Sequence, residues 1–362
     1  MRCIVLSRRV MLVLAFLIWN PANAHDSAVQ EPMTRSAVQA RLPLGTVLLD
    51  VTHAGKRLVA VGERGIVLLS DDDGATWRQA KVPSSVTLTR VRFATPMAGW
   101  ATGHYGTVLH TRDGGETWEQ QLDGLQAAQS ILAASRASLQ SAPDDSTAKR
   151  NLLSAERLVQ DGPDKPFLDL YFFDDQHGIV VGAFNLIFDT VDGGKTWRSL
   201  RDRLDNPREL HLYAIAGAGD NLYIAGEQGV VFRSNDQGRT FSRVNTPYSG
   251  SYFSASVPRP GEILLAGLRG NVFRSVDAGE TWEKVKGAPP VSFSAITRLA
   301  DGSTLLANNA GQLFVSRGAL LERLPVSQLP PLAAVLQLSD DSLLGVGVRG
   351  MTKVSLSRQG GN

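Results

Sequence analysis

The chain has 362 residues, 43% of them hydrophobic and 20% charged, with 37 Lys and Arg against 35 Asp and Glu. That length and composition suit a folded chain with a large core, and the near-balanced charge argues against bulk nucleic-acid or membrane-surface binding. The single cysteine, Cys3, rules out an intrachain disulfide.

Residues 1–24 read as a signal peptide. Arg2, Arg8 and Arg9 precede the apolar run Val10 to Trp19, and Ala22-Asn23-Ala24 forms a small-residue cleavage site before His25. The run is too short to cross a bilayer as a helix. Ser7-Arg8-Arg9 also admits twin-arginine export, although the apolar core favours the general secretory route. Cleavage removes Cys3 and leaves 34 Lys and Arg against 35 acids. The expected product is an exported, periplasmic chain with no membrane insertion of its own and no thiol chemistry. Residues 25–36 are a polar, loose leader.

From residue 37 to 358 the sequence repeats. SDDDGATW (Ser70 to Trp77), TRDGGETW (Thr111 to Trp118), TVDGGKTW (Thr190 to Trp197), SNDQGRTF (Ser234 to Phe241) and SVDAGETW (Ser275 to Trp282) share one eight-residue form. Its Asp (Asp72, Asp113, Asp192, Asp236, Asp277) is expected to accept hydrogen bonds within a turn, and the Gly two residues later to supply a positive φ. The Thr is expected to start the next strand. The closing aromatic (Trp77, Trp118, Trp197, Phe241, Trp282) is expected to fill the seam between sheets. This form resembles the Asp-box, or BNR, repeat.

A second pattern precedes each box: small–Gly–x–x–Gly–x–apolar, as in VGERGIVLLS (Val61 to Ser70) and AGLRGNVFRS (Ala266 to Ser275). It occurs seven times, the last two in ANNAGQLFVS (Ala307 to Ser316) and VGVRGMTKVS (Val346 to Ser355), where the box is missing. With a further strand upstream each time (LLDVTH, TRVRFA, LDLYFF, LYAIAG), four strands per repeat and a period near 40 residues predict an all-β, seven-bladed β-propeller. The last repeat lacks an outer strand, so residues 37–44 (AVQARLPL) are expected to supply it and join the chain ends.

One insertion interrupts the period. Residues 122–164 carry Leu125, Leu132 and Leu139 at heptad spacing, a break at Pro143-Asp144-Asp145, then Leu152, Leu153, Glu156 and Val159 on one side before Gly162-Pro163. This predicts a helical hairpin between blades two and three, on the face of the Gly-x-x-Gly turns. It either packs its Leu stripe on the propeller or serves as a docking element or lid.

A propeller is a scaffold, so function lies on its faces. Three Gly-x-x-Gly turns carry Arg before the second Gly: Arg64, Arg269 and Arg349. Arg90 and Arg92 start the inner strand of blade two, and Tyr105 and Phe184 hold the turn position of blades two and three. Together they predict a basic arc beside an aromatic one, the kind of mixture that interfaces use. Solvated turn arginines are the plainer alternative. Asp50 and Asp169 occupy inner-strand positions comparable to Arg90, where some of these charges pair across the channel mouth.

Asp boxes also occur in sialidases, whose chemistry needs an Arg cluster, a Tyr–Glu nucleophile pair and an acid/base carboxylate. Arg41-Leu42-Pro43 resembles their early Arg motif, but the triplet recurs at Arg323-Leu324-Pro325. The last tyrosine is Tyr252, well before blades six and seven. No catalytic residue is therefore assigned. Asp71-Asp72-Asp73-Gly74 lacks the later Glu of a calcium loop, the histidines have no ligand spacing, and no phosphate-binding loop is present, so no metal or cofactor is expected.

Seven blades, the DGG[EK]TW wording (Asp113 to Trp118, Asp192 to Trp197), the Gly-x-x-Gly turns and a secretory signal together resemble the photosystem II stability/assembly factor family, from about Thr46 to Leu356. The resemblance implies a monomeric, non-catalytic chaperone for a newly made subunit of a membrane complex. It implies a lumenal location in a photosynthetic host and a periplasmic one otherwise. Of the family's arginine-rich surface, only Arg64, Arg269 and Arg349 are reasonable carriers here. The chain lacks the cleavage-site cysteine of lipoprotein members, and its helical hairpin is an addition. A glycan-binding or glycan-cleaving Asp-box protein and a structural envelope component are the alternatives.

Overall fold

The computed structural model describes residues 31–339 and 341–356. The expected signal peptide lies outside the described residues, as does the leader up to Gln30. Seven antiparallel sheets follow in chain order over residues 48–79, 88–122, 167–199, 212–243, 252–284, 293–323 and 332–355. Strands within each sheet are ordered as they occur in the sequence.

Burial follows position in the blade. The second strand is buried along nearly its whole length, as in Gly178–Gly182 and Gly99–Gly103, because a neighbouring blade covers each face. These strands are accordingly apolar runs without alternation. Outer strands such as Arg78–Gln79 and Glu283–Lys284 are two residues long and polar, leaving little open edge. Each inner strand shifts register after its first residue, between Leu48 and Asp50, Leu88 and Arg90, Leu212 and Ala214. The repeated bulge brings Asp50, Arg90 and Asp169 to equivalent places beside the central channel.

The core is divided among the seams. Trp77 packs with Leu344 and Val346 where blade one meets blade seven, and Trp118 with Val59 and Leu69 between blades one and two. Trp197, Phe241 and Trp282 occupy the next three seams in turn. Each Asp-box aromatic therefore reaches back to the preceding blade, as expected.

The boxes share one hydrogen-bond set. In the second, Asp113 accepts from Thr111 Oγ1 (2.8 Å), Thr117 N (3.0 Å) and Thr117 Oγ1 (2.6 Å). Gly115 N donates to Thr111 Oγ1 (2.9 Å) and Trp118 Nε1 to the Gly115 carbonyl (2.9 Å). Gly115 has φ 91°, and a Cβ there would lie 3.1 Å from Leu69 Cδ2. One expectation is corrected: the Thr does not begin a strand. It stays in the turn with both donors on the Asp, Thr117 making only an isolated bridge to Lys81, and the strand starts after the aromatic, at Glu119.

A second correction concerns the closing strand. Residues 37–40 are not paired as a strand, residues 43–45 form a single 3-10 turn, and among the described residues the seventh sheet has three strands. The segment is held by other partners. Ala37 N donates to the Val82 carbonyl (3.1 Å) and Ala40 N to Gln79 Oε1 (2.9 Å), so it lies along blade one. The 3-10 turn instead fits under the last hairpin, where a Cβ on Gly350 would lie 1.8 Å from the Leu44 carbonyl oxygen.

The insertion forms two helices, α1 (Gly124–Ser141) and α2 (Ser146–Asp161). Asp123 and Gln126 make a reciprocal capping box, and Asp145 caps α2 through the N–H groups of Thr147 and Ala148. Ala127, Ala128, Ile131 and Leu132 of α1, with Ala155 and Leu158 of α2, join Phe167, Leu186 and Phe188 in the seam between blades two and three. The hairpin thus packs inward by part of the expected stripe: Leu132, with Ala128 and Ile131 between the leucines, is buried and Leu152 and Val159 pack on the same seam, whereas Leu125 and Leu153 turn outward. Leu125 is 51% exposed and Leu153 67% exposed, because small alanines make the close contact.

Candidate functional site: the turn face and its flanking cleft

On one face of the propeller the second strand of each blade turns sharply after a Gly, or after Asn308 in blade six. The residue at the apex is left-handed in five blades: Arg64 (φ 55°), Tyr105 (55°), Phe184 (53°), Gln228 (52°) and Arg269 (56°). The following Gly sits against a passing connection. A Cβ on Gly65 would lie 2.2 Å from the Ser84 carbonyl oxygen, and one on Gly270 1.8 Å from that of Pro289. With the second position pressed inward, the apex side chain has to project outward. Blade three replaces this Gly with Asn185, which is left-handed, buried and hydrogen-bonded by Asn206 (3.0 Å).

Arg64, Arg269 and Arg349 are all exposed, and among the described residues none of them forms an ion pair. Blades one and seven are adjacent, so Arg64 and Arg349 are neighbours on the ring. Leu268 and Val348, beside Arg269 and Arg349, are also exposed. The face therefore offers uncommitted guanidinium groups interspersed with apolar side chains.

Two expected members are placed elsewhere. Arg92 Nη1 lies 2.5 Å from Asp50 Oδ2, and Arg90 lies 3.6 Å from Asp169 and 3.9 Å from Asp50, so their charge is spent within the channel. Burial pushes the Asp169 carboxyl up, against the opposing pull of Arg90 and Arg92. Tyr105 is half-buried, packed on the core between blades one and two. Of the aromatic arc, Phe184 alone stays open, at 44% exposure, with Lys165 Nζ 5.3 Å from its ring centroid.

Burial pushes the Tyr213 hydroxyl up, and the neighbouring Glu227 adds to the effect, the opposite of an activated nucleophile. Among the described residues, no group of three His, Cys, Asp or Glu is placed to hold a metal ion, and no helix is long and apolar enough to cross a membrane.

The sequence reading missed a cleft of about 480 Å³ between α2 and the 200–209 connection that leads into blade four. One stripe of α2 lines it (Arg150, Leu153, Ser154, Arg157, Leu158, Asp161), spaced as one helical face. At its floor Arg201 Nη2 donates to Glu209 Oε1 (2.5 Å), and Ser154 Oγ also donates to Glu209. The signal was the basic residues at helical spacing in α2, which the heptad pattern of leucines obscured.

Comparison with known proteins matches these features. The sequence profile of the family described as "Photosynthesis system II assembly factor YCF48" matches residues 69–135 and 152–319. A photosystem II assembly lipoprotein Ycf48 from Synechococcus sp. (strain CC9902) is 34% identical over 77 residues, 21% of this chain and 23% of that protein. The chloroplastic photosystem II stability/assembly factor HCF136 of Cyanidioschyzon merolae is 33% identical over 96 residues, 26% of this chain and 21% of that protein. The chain thus spans less than a quarter of the length of these curated relatives in the matched segments. Among solved structures, YCF48 bound to a D1 peptide superposes with a TM-score of 0.61 at 17% identity, over 91% of this chain and 98% of that one. YCF48 from Cyanidioschyzon merolae gives 0.62 at 16% identity, over 88% and 98%. These likenesses show the fold.

Proposed function

The chain belongs to the photosynthesis system II assembly factor YCF48 family, and from that premise we propose that it is a non-catalytic, exported propeller that holds a subunit of a membrane complex during assembly. The observation that carries this reading is the turn face, where Arg64, Arg269 and Arg349 project without partners beside Leu268 and Val348. Guanidinium groups with apolar neighbours bind peptide carboxylates and carbonyls while burying side chains. A relative of the same fold is described as bound to a D1 peptide, which supports a peptide-holding role. Relatives named as a lipoprotein and as chloroplastic support an exported location, periplasmic or lumenal according to the host. The working form is a monomer.

The test is affinity capture from detergent-solubilised membranes, with the wild-type chain beside the Arg64→Ala/Arg269→Ala/Arg349→Ala variant. Recovery of one membrane complex by the wild type and its loss in the variant is the expected result. Equal recovery by both, or none by either, removes the turn face from the function.

A further inference from the structure

We propose that the cleft between α2 and the 200–209 connection is a second docking surface, one that takes an acidic peptide segment bearing an apolar side chain. The inference rests on the protein-binding reading above and adds a separate site to it.

Charge comes first. The cleft is lined by Arg150, Arg157, Lys165, Arg201 and Arg208, against two acids, Asp161 and Glu209. Both acids are already engaged, Asp161 with Lys165 (3.5 Å) and Glu209 with Arg201 (2.5 Å). Arg150, Arg157 and Arg208 are exposed, and none of them makes an ion pair among the described residues. Arg150 and Arg208 donate only to the neutral side chains of Thr147 (3.3 Å) and Gln228 (2.7 Å). Three cationic groups thus border one concavity with no anion of the protein's own to balance them. This is a local excess in a chain whose total charge is nearly balanced, so it selects an anionic occupant.

Apolar surface comes second. Leu153, 67% exposed, and Phe184, 44% exposed, line the same cleft. On an isolated surface helix Leu153 would have no reason to stand among three arginines. Here it provides an apolar contact within a charged rim, the arrangement of an interface anchor. The cleft is also braced. Ser154 and Arg201 both bind Glu209, tying α2 to the facing wall, and Phe184 N donates to His211 Nδ1 (2.9 Å). A pre-formed concavity with a fixed apolar contact favours a peptide over a lipid headgroup, which needs a flat, exposed basic surface.

The experiment is fluorescence anisotropy with the full chain and a short fluorescein-labelled peptide of Asp, Glu, Leu and Phe residues. Saturable binding that weakens as salt rises is expected. Arg157→Glu/Arg208→Glu should weaken it roughly tenfold or more, and Leu153→Ser should weaken it at constant salt dependence. Both changes are on exposed side chains, and circular dichroism checks that each variant is folded. Both changes are also made in an Arg64→Ala/Arg269→Ala/Arg349→Ala background, where the turn face no longer contributes and the remaining binding should still be lost with Arg157→Glu/Arg208→Glu. The proposal is overturned by absence of saturable binding, by equal binding of the Glu variant, or by equal binding of a Lys-for-Asp/Glu peptide. It is also overturned if phosphatidylglycerol vesicles bind the chain through Arg157 and Arg208 while the peptide does not. Any of these results leaves the membrane-capture test of the turn face standing, so the two readings fail separately.

Discussion

The carboxylate of Asp50 in blade one accepts the backbone N–H of Val91 in blade two at 2.9 Å, so a single side chain fastens two neighbouring inner strands. Asp169 repeats the link from blade three to Ile215 of blade four at 3.0 Å. Elsewhere a hydroxyl does the job: Thr89 reaches the Phe167 carbonyl (2.8 Å) and Ser294 that of Leu332 (2.6 Å). Each donor or acceptor thereby satisfies an inner-strand group that faces the channel and has no ladder partner on that side.

Removing Asp50 should accordingly be costly. Asp50→Ala leaves Val91 N–H unpaired and Arg90 and Arg92 short of a counter-charge, so a loss of about 3–5 kcal/mol is expected from urea unfolding. An Arg92→Gln/Asp50→Asn double variant should recover part of that loss. A loss below about 1 kcal/mol in Asp50→Ala would show the link to be incidental.

The seams should respond to truncation of the box aromatics. Trp118 is buried with Val59 and Leu69 and donates to Gly115. Trp118→Ala is expected to cost about 3–5 kcal/mol, and Leu132→Ala, at the hairpin's inward face, about 2–5 kcal/mol. Leu125→Ala, on an exposed side chain, should stay within about 0.5 kcal/mol.

Acid should loosen the boxes together. Hydrogen bonds from Thr76, on both its side chain and backbone, hold Asp72 down to about 2, and Thr281 does the same for Asp277. Asp236 also sits at about 2, where burial opposes the shift and the bonds from Thr240 prevail. Asp113 and Asp192 are lowered as well. A depressed folded value means that the unfolded chain takes up protons first, so this stabilisation is present above pH ~4 and is lost as pH falls toward ~2. The melting temperature should drop across that window, and Asp72→Asn/Asp277→Asn should flatten the drop.

Arg64 and Arg269 hold a backbone conformation that Gly adopts more readily. Arg64→Gly relieves a φ of 55°, so the unfolding midpoint should hold or rise, by up to about 1 kcal/mol. Loss of partner capture at undiminished stability would separate the arginine's role in recognition from any role in folding.

Much of this architecture could be read from residues that repeat. Asp72, Gly74 and Trp77 recur at fixed spacing because turn, φ and seam each constrain one position. The same regularity placed Arg64, Arg269 and Arg349 on one face. Three features were not legible. The fate of residues 37–44 depended on competition between two tertiary partners, Gln79 and Val82 of blade one against the last strand, which local pattern cannot rank. The inward face of α1 pairs Leu132 and Ile131 with Ala127 and leaves Leu125 outside, a choice among leucines at equal heptad spacing that the pattern alone cannot make. The cleft joins residues some fifty positions apart, such as Ser154 and Glu209, and its apolar and basic members look like ordinary surface when taken singly.

The three-stranded seventh sheet bears on how the ring is shut. Among the described residues no strand is exchanged between the first and last blades, and their boundary is formed by side chains such as Trp77, Leu344 and Val346 with the His53–Gln337 contact. Topologically the molecule is an open chain of like modules whose two ends meet face to face. Its ends could therefore be relocated to another inter-blade loop by circular permutation without undoing a single ladder hydrogen bond.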